Sequence, residues 1–525
     1  MTQKAASIEV IRHKNRNNIL KGTLILTLAG FITRLIGFFY KIFLSNTMGT
    51  ELLGIYQLVF PVYSICYTIF ATGIQTSISR LVAAEFGKRN HKNALKILRI
   101  GLAISISLAF LSSLLIYSSS GFIATSFLLE PRSASSIRIL AYAFPFCGVT
   151  ACINGYYYGL KKTGVPASTQ MLEQLIRVAV VYIIALKAGN GNLTVTCEMA
   201  VIGLVIGEVA SCLYNSFSMF LTKSPMDLLV LGPDPNATAS TRSKITKDLL
   251  ALSVPLSANR LLLSILHSIE AILIPTMLRR SGLNTADALS TFGILASMSM
   301  PFIMFPTAII NALAVLLLPT VSEAQAINND RLIGKTTSVA IKYSLIIGIL
   351  SAGIFIIFGM DLGNAVFHNK QAGAYLLVLA WLCPFIYITT TLGSIINGLG
   401  KAHITFINSI AGTLCKILLI SILIPKYSIN GYLIALLVGQ LIITGMDTFA
   451  VIRHVHFPFD AVNSIVKPGL ITAFAGYLLK VSYDYIKSTV HFNEVLFILS
   501  FCLMFCVICI GLLVVTNSVS RKDFR

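Results

Sequence analysis

Three stretches of this chain, Leu52–Ser79, Ile100–Leu129 and Val495–Ser520, contain no Asp, Glu, Lys or Arg. A helix needs about 20 apolar residues to cross the hydrocarbon core of a bilayer, and each stretch exceeds that. In lipid every backbone N–H and C=O must be paired within the protein, so only helices and closed barrels span. Barrel strands read as alternating segments of about 10 residues, and no such alternation runs here. Composition agrees: 11% of residues are charged, against about 25% in soluble domains. The expected fold class is an all-α polytopic membrane protein with fourteen transmembrane helices, the first beginning near residue 20 and the last ending near 516.

The N-terminus is basic (Lys4, Arg12, Lys14, Arg16, Lys21) and leads into a long apolar segment with no small-residue cleavage site, which reads as an uncleaved first helix. The net charge of +20 does not call for a nucleic-acid partner. With both termini placed in the cytoplasm, most Lys and Arg fall in cytoplasmic loops, six of them in "RLVAAEFGKRNHKNALKILR" (80–99). That asymmetry is the positive-inside rule, and it suits anionic membrane lipids. The expected location is the cell membrane.

The chain compares with itself. "ATGIQTSISRLVAAEFGKRNHKNALKILRIGL" (71–102) resembles "IINALAVLLLPTVSEAQAINNDRLIGKTTSVAIKYSL" (309–345), with Glu85 over Glu323 and Asn90 over Asn328. "INGYYYGLKKTG" (153–164) matches "INGLGKAH" (396–403), and "QLIRVAVV" (174–181) matches "TLCKILLI" (413–420). A common order at a nearly constant offset indicates duplication. Six spans per copy is an even number, so both copies keep one orientation, with a cavity expected between two bundles. The expected organisation is a basic N-terminus at 1–19, an N-lobe at 20–221 and a polar linker at 222–247. A C-lobe at 248–452 and an extra helix pair with a tail at 453–525 complete it. Asn154 and Asn397, at matching span ends, read as hinges or helix caps.

Five cations remain inside spans: Arg34, Lys41, Arg177, Arg260 and Lys416. A charge at the bilayer centre costs about 2.5–3.5 kcal/mol on insertion scales, so such residues face an interior. Four of them pair under the repeat. "FITRLIG" (31–37) lies over "SANRLLL" (257–263), matching Arg34 with Arg260, and Arg177 matches Lys416. Gly30, Arg34, Gly37 and Lys41 follow i, i+4, i+7, i+11 and share one helical stripe. Lys41 lies near a span end, where the alternative is snorkelling to the interface. Glu173 precedes Arg177 by four residues, a spacing that permits either an ion pair or a shared binding role. Glu270 can partner a cation or carry coupling chemistry. Glu208 and Asp447 read as helix–helix polar contacts. A cationic interior suits a phosphate or pyrophosphate group.

Other motifs fail. "GKTT" (334–337) has Asn329 where a phosphate-binding loop needs glycine. H-E-x-x-H is absent and the eight histidines form no cluster. Cys502, Cys506 and Cys509 share one helical face without a histidine, which reads as packing rather than a metal site. The triplets at Asn192 and Asn236 match a glycosylation pattern that recurs by chance. The expectation is a non-enzyme with no cofactor.

"KGTLILTLAGFITRLIGFFYK" (21–41), "MGTELLGIYQLVFPVYSICYTIFATGIQTSISRLVAAE" (48–85) and "LLLPTVSEA" (316–324) resemble the stage V sporulation protein B family. That family stands beside the MurJ-type lipid II flippases in the multidrug/oligosaccharidyl-lipid/polysaccharide exporter superfamily. The resemblance implies a flippase working by alternating access on an undecaprenyl-pyrophosphate-linked saccharide, lipid II for spore cortex peptidoglycan. It also implies membrane lipids and cell-wall synthesis enzymes as partners. "TRLIGFFYK" is similar to the flippases' "SRxxGFxR" stretch, whose cavity arginine falls on Arg34 and whose second arginine falls on Tyr40, beside Lys41. The residues also admit a cation-coupled multidrug antiporter of the same superfamily, which would use Glu270 and Glu173. They admit, too, a non-transporting scaffold for cell-wall enzymes.

Overall fold

A computed structural model describes residues 2–88, 90–188, 193–221, 240–489 and 493–519. Most of the 222–247 linker, the C-terminal tail from 520 and the two glycosylation triplets' asparagines lie outside the described residues. The described residues form helices joined by short turns, with no strand. In chain order the helices are α1 Thr2–Met48, α2 Thr50–Gly87, α3 Lys92–Phe127, α4 Pro131–Gly159, α5 Gly164–Ala188, α6 Cys197–Leu221 and α7 Arg242–Arg280. There follow α8 Thr285–Met304, α9 Thr307–Ala326, α10 Asp330–Phe367, α11 Lys370–Gly398, α12 Ala402–Tyr427, α13 Ile429–His454, α14 Val462–Thr489 and α15 Glu494–Val515.

Fourteen helices among the described residues are long and apolar enough to cross a membrane. Two of them, α8 and α9, stand where the sequence predicts a single span at 288–318. The chain breaks there at Phe305–Pro306, because proline lacks an N–H and its ring clashes with the preceding turn. Helix α5 is not among the fourteen but has 25 residues, as many as α6. Counting α8 with α9 as one crossing and α5 as another keeps the total at fourteen.

The chain divides into two compact units. The N-terminal unit is Met1–Tyr40 with Ile55–Ser268, and the C-terminal unit is Lys41–Gly54 with Ile269–Arg525. The division therefore runs through α1, α2 and α7.

Each unit repeats the other's local geometry, at a separation of 239 residues. Asn90 caps α3 by accepting a hydrogen bond from Asn93 N, and Asn329 caps α10 by accepting one from Leu332 N, with nearly equal backbone angles. Asn90 N and Asn329 N each reach back to a carbonyl at 2.9 Å, on Glu85 and Ala324. The residue matching Asn90 is thus Asn329, one place beyond the Asn328 of the sequence comparison, since the capping turn fixes the register. Helices α4 and α11 each contain a tight 3₁₀ turn, Ala141–Ala143 and Ala380–Leu382. Each turn is followed by a proline in the next first turn, Pro145 and Pro384, where its missing N–H is harmless. After the helix ends, Lys161 and Gly400 share a positive φ, 59° and 76°. Under this register Tyr67 stands where Pro306 breaks the chain. With no proline, α2 continues through a π turn at Thr68–Thr72.

In a bilayer, helices associate through close packing rather than hydrophobic transfer, and glycine permits the approach. A Cβ on Gly159 would fall 2.8 Å from Ser79 O and Val82 Cβ. On Gly398 it would fall 2.9 Å from Val321 Cβ and 3.1 Å from Leu318 O. Those contacts are again 239 apart. The Ile-Asn-Gly triplets at 153–155 and 396–398 are therefore not equivalent; the glycine ending α11 matches Gly159 instead. Helices α14 and α15 add to the C-terminal unit only. Asp361 on α10 accepts bonds from Lys480 and Lys487 on α14, both at 2.8 Å. Tyr483 stacks on Phe497 of α15, with ring centroids 5.1 Å apart.

Candidate functional site

The five intramembrane cations fall into two groups. Arg177 on α5 is paired with Glu173 one turn earlier. Lys416 on α12 is paired with Glu270 on α7 at 2.6 Å. By contrast, Arg34 and Arg260 are exposed, Lys41 is half-buried, and none of the three has an ion pair or side-chain hydrogen bond among the described residues. Along the stripe on α1, a Cβ on Gly30 would meet open space, whereas one on Gly37 would lie 3.2 Å from Gln174 Nε2 of α5. The Gly37 end of the stripe thus packs on α5, and the Arg34 end is open.

The match of Arg177 to Lys416 is visible in the packing. A Cβ on Gly207 of α6 would meet Glu173 O at 3.0 Å and Arg177 Cβ at 3.4 Å. One on Gly439 of α13 would meet Gly412 O at 3.3 Å and Lys416 Cβ at 2.8 Å. The cation in each unit therefore stands against a glycine of the following helix. Gly207 and Gly439 are 232 apart because the α12–α13 connection is shorter. On the same correspondence Thr169 matches Asn408 and Asn215 matches Asp447. Thr169 Oγ1 donates to Asn215 Oδ1 at 2.7 Å, and Asn408 Nδ2 donates to Asp447 Oδ1 at 2.7 Å. Asp447 is the helix–helix contact expected.

Glu208 is more than that. It is 5% exposed and accepts a hydrogen bond from Tyr63 Oη at 2.9 Å. Together with Glu173 and Arg177 it lines a cavity of about 420 Å³ inside the N-terminal unit. Asn154 lines the same cavity, and its Oδ1 accepts a bond from Asn215 at 3.2 Å. Sequence reasoning missed this grouping; the spacing of Glu173 and Arg177 was legible, but Glu208 comes from another helix. Among the described residues no three His, Cys, Asp or Glu side chains are grouped to hold a metal ion. On α15, Cys509 is buried and Cys502 and Cys506 are half-buried.

A duplicated all-helical membrane chain with unpaired cations in its spans has known relatives. The family described as Polysaccharide biosynthesis protein matches residues 19–325. The chain belongs to that family. Stage V sporulation protein B of Bacillus subtilis (strain 168) is 24% identical over 431 residues, covering 82% of each chain. Lipid II flippase MurJ of the same organism is 20% identical over 483 residues, covering 89% of this chain and 88% of that one. Among solved structures, a lipid II flippase MurJ in an inward closed conformation superposes with a TM-score of 0.65 at 15% identity, covering 95% of this chain and 99% of that one. These relatives place the chain among the multi-pass membrane transporters and flippases of the multidrug/oligosaccharidyl-lipid/polysaccharide exporter superfamily.

Proposed function

We propose that this family member is a flippase that carries an undecaprenyl-pyrophosphate-linked saccharide, with lipid II as the cargo, across the cell membrane by alternating access. One observation carries the reading. Of five cations in the spans, Arg177 and Lys416 have carboxylate partners, while Arg34, Arg260 and Lys41 have none among the described residues. An arginine without a counter-ion at membrane depth costs about 2.5–3.5 kcal/mol. An incoming pyrophosphate offsets that by supplying the missing charge in bidentate geometry. Arg34 and Arg260 are the primary pyrophosphate ligands in this reading and Lys41 a third. Arg177 and Lys416 are held by Glu173 and Glu270 and serve to shape their units. Both termini are cytoplasmic, and an inside-negative membrane potential favours the inward return of the empty positive stripe, at about 2.3 kcal/mol per charge per 100 mV.

The test is translocation of labelled lipid II in proteoliposomes. Arg34→Ala and Arg260→Ala each abolish it while inserting normally. Full transport by both variants refutes the cationic site. Drug export by the wild type in place of lipid transport would support the antiporter instead, and complementation without translocation would support the scaffold.

A further inference from the structure

Helix α7 is exposed on two opposite faces. Arg260 and His267 are exposed on one, and Leu262 and Ile269 on the other. At 3.6 residues per turn, Arg260 and His267 fall within about 20° of each other, while Leu262 and Ile269 lie about 160–180° from Arg260. Between the two faces a row of serines packs on α2. Ser264 Oγ lies 2.6 Å from Ser64 Oγ, and Ser268 Oγ donates to Pro61 O at 3.4 Å. The Leu262 face suits lipid. A charge at membrane depth turns away from lipid, so the face carrying Arg260 and His267 fronts a polar space.

The same pattern stands on α1. Lys41 follows Arg34 by seven residues, as His267 follows Arg260, and Lys41 and His267 are separated by the same 226 residues as Arg34 and Arg260. The first helix of each copy therefore carries an arginine and, about 10 Å further along its axis, a second basic side chain on the same stripe. A count of Lys and Arg alone passes over His267, and the duplication of Lys41 is visible only when histidine is included.

We propose that His267 is a further cargo-binding residue, which contacts the second phosphate of the pyrophosphate held at Arg260 and so makes the site select a diphosphate over a monophosphate. The proposal rests on the flippase reading above and deepens it. An arginine fork engages the oxygens of one phosphate. An imidazole presents an N–H donor in either protonation state. Two such groups, two turns apart on one exposed face, match a ligand with two anionic groups in series. A single phosphate is held by the arginine alone and gains little from His267.

Binding of farnesyl diphosphate and farnesyl monophosphate to the purified full-length protein in nanodiscs, by isothermal titration calorimetry at fixed pH and ionic strength, tests this. The wild type binds the diphosphate more tightly. His267→Ala weakens diphosphate binding about tenfold through loss of one hydrogen bond to a charged group and leaves monophosphate binding unchanged, so the preference shrinks by the same factor. His267→Lys, which installs the basic residue of the first copy, keeps the preference. Arg260→Ala weakens both ligands. An undiminished preference in His267→Ala, or an equal loss of both ligands in that variant, overturns the assignment of His267 alone when Arg260→Ala still weakens both. Undiminished binding of both ligands by Arg34→Ala and by Arg260→Ala overturns the cationic site as a whole, and this assignment with it.

Discussion

Glu270 Oε2 and Lys416 Nζ lie 2.6 Å apart in the C-terminal unit, joining α7 to α12 across 146 residues of sequence. In the N-terminal unit the matching cation, Arg177, takes its carboxylate from its own helix, at Glu173. The cation is common to both units and the source of its counter-charge is not.

Breaking the Glu270–Lys416 pair from one side strands a buried charge, because both side chains are largely buried. Glu270→Gln or Lys416→Met is expected to destabilise the protein by about 3 kcal/mol. The double variant should lose less than the sum of the two. Thermal unfolding of the three variants in nanodiscs measures the coupling.

Arg34 and Arg260 behave differently. Both are exposed and lack a partner among the described residues, so Arg34→Ala and Arg260→Ala are expected not to destabilise the protein, and to raise its stability as the cost of an unpaired charge at membrane depth is removed. Transport should still be lost. Arg34→Lys keeps the charge but loses the bidentate fork, and restores activity only in part. Unfolding and lipid translocation measured on the same preparations separate the two effects.

The glycines that admit neighbouring helices tolerate no side chain. Gly159→Val and Gly398→Val place branched carbons against Val82 and Val321, and each is expected to cost about 1–3 kcal/mol by overpacking. Gly30→Ala, which faces open space, serves as the neutral comparison. Relative Tm values give the order.

One pH response lies outside the spans. Asp460, just before α14, accepts hydrogen bonds from the backbone and side chain of Asn463, and these hold its carboxyl below the usual carboxylate value. A depressed folded value means that the stabilisation is fully present above the unfolded carboxylate's value, about 3.9, and is lost as pH falls through the lower folded value. The Asn463 and Ser464 amides should lose protection over that acid range, after correction for intrinsic exchange. Asp460→Ala should remove the dependence.

Much of this is legible in the residues. Charge-free runs are a one-dimensional property, and they announce the membrane-spanning class directly. The duplication shows in order and offset, though residue matching alone sets Asn90 over Asn328. The weak identity around that turn leaves the register a residue short until the Asn329 cap resolves it. The broken span at Pro306 is readable from proline alone, whereas hydropathy runs a single span through it.

The sequence by itself determined that the chain is a duplicated helical membrane protein and which five cations lie in its spans. Hydropathy and charge are carried along the chain and need no partner to be read. The tertiary structure decided which cations are neutralised and that Glu208 shares a cavity with Glu173 and Arg177. Apart from Glu173 and Arg177, which share a helix, those relationships join residues on different helices, and the rotation of each helix about its axis is set by glycine contacts and packed side chains rather than by local hydropathy.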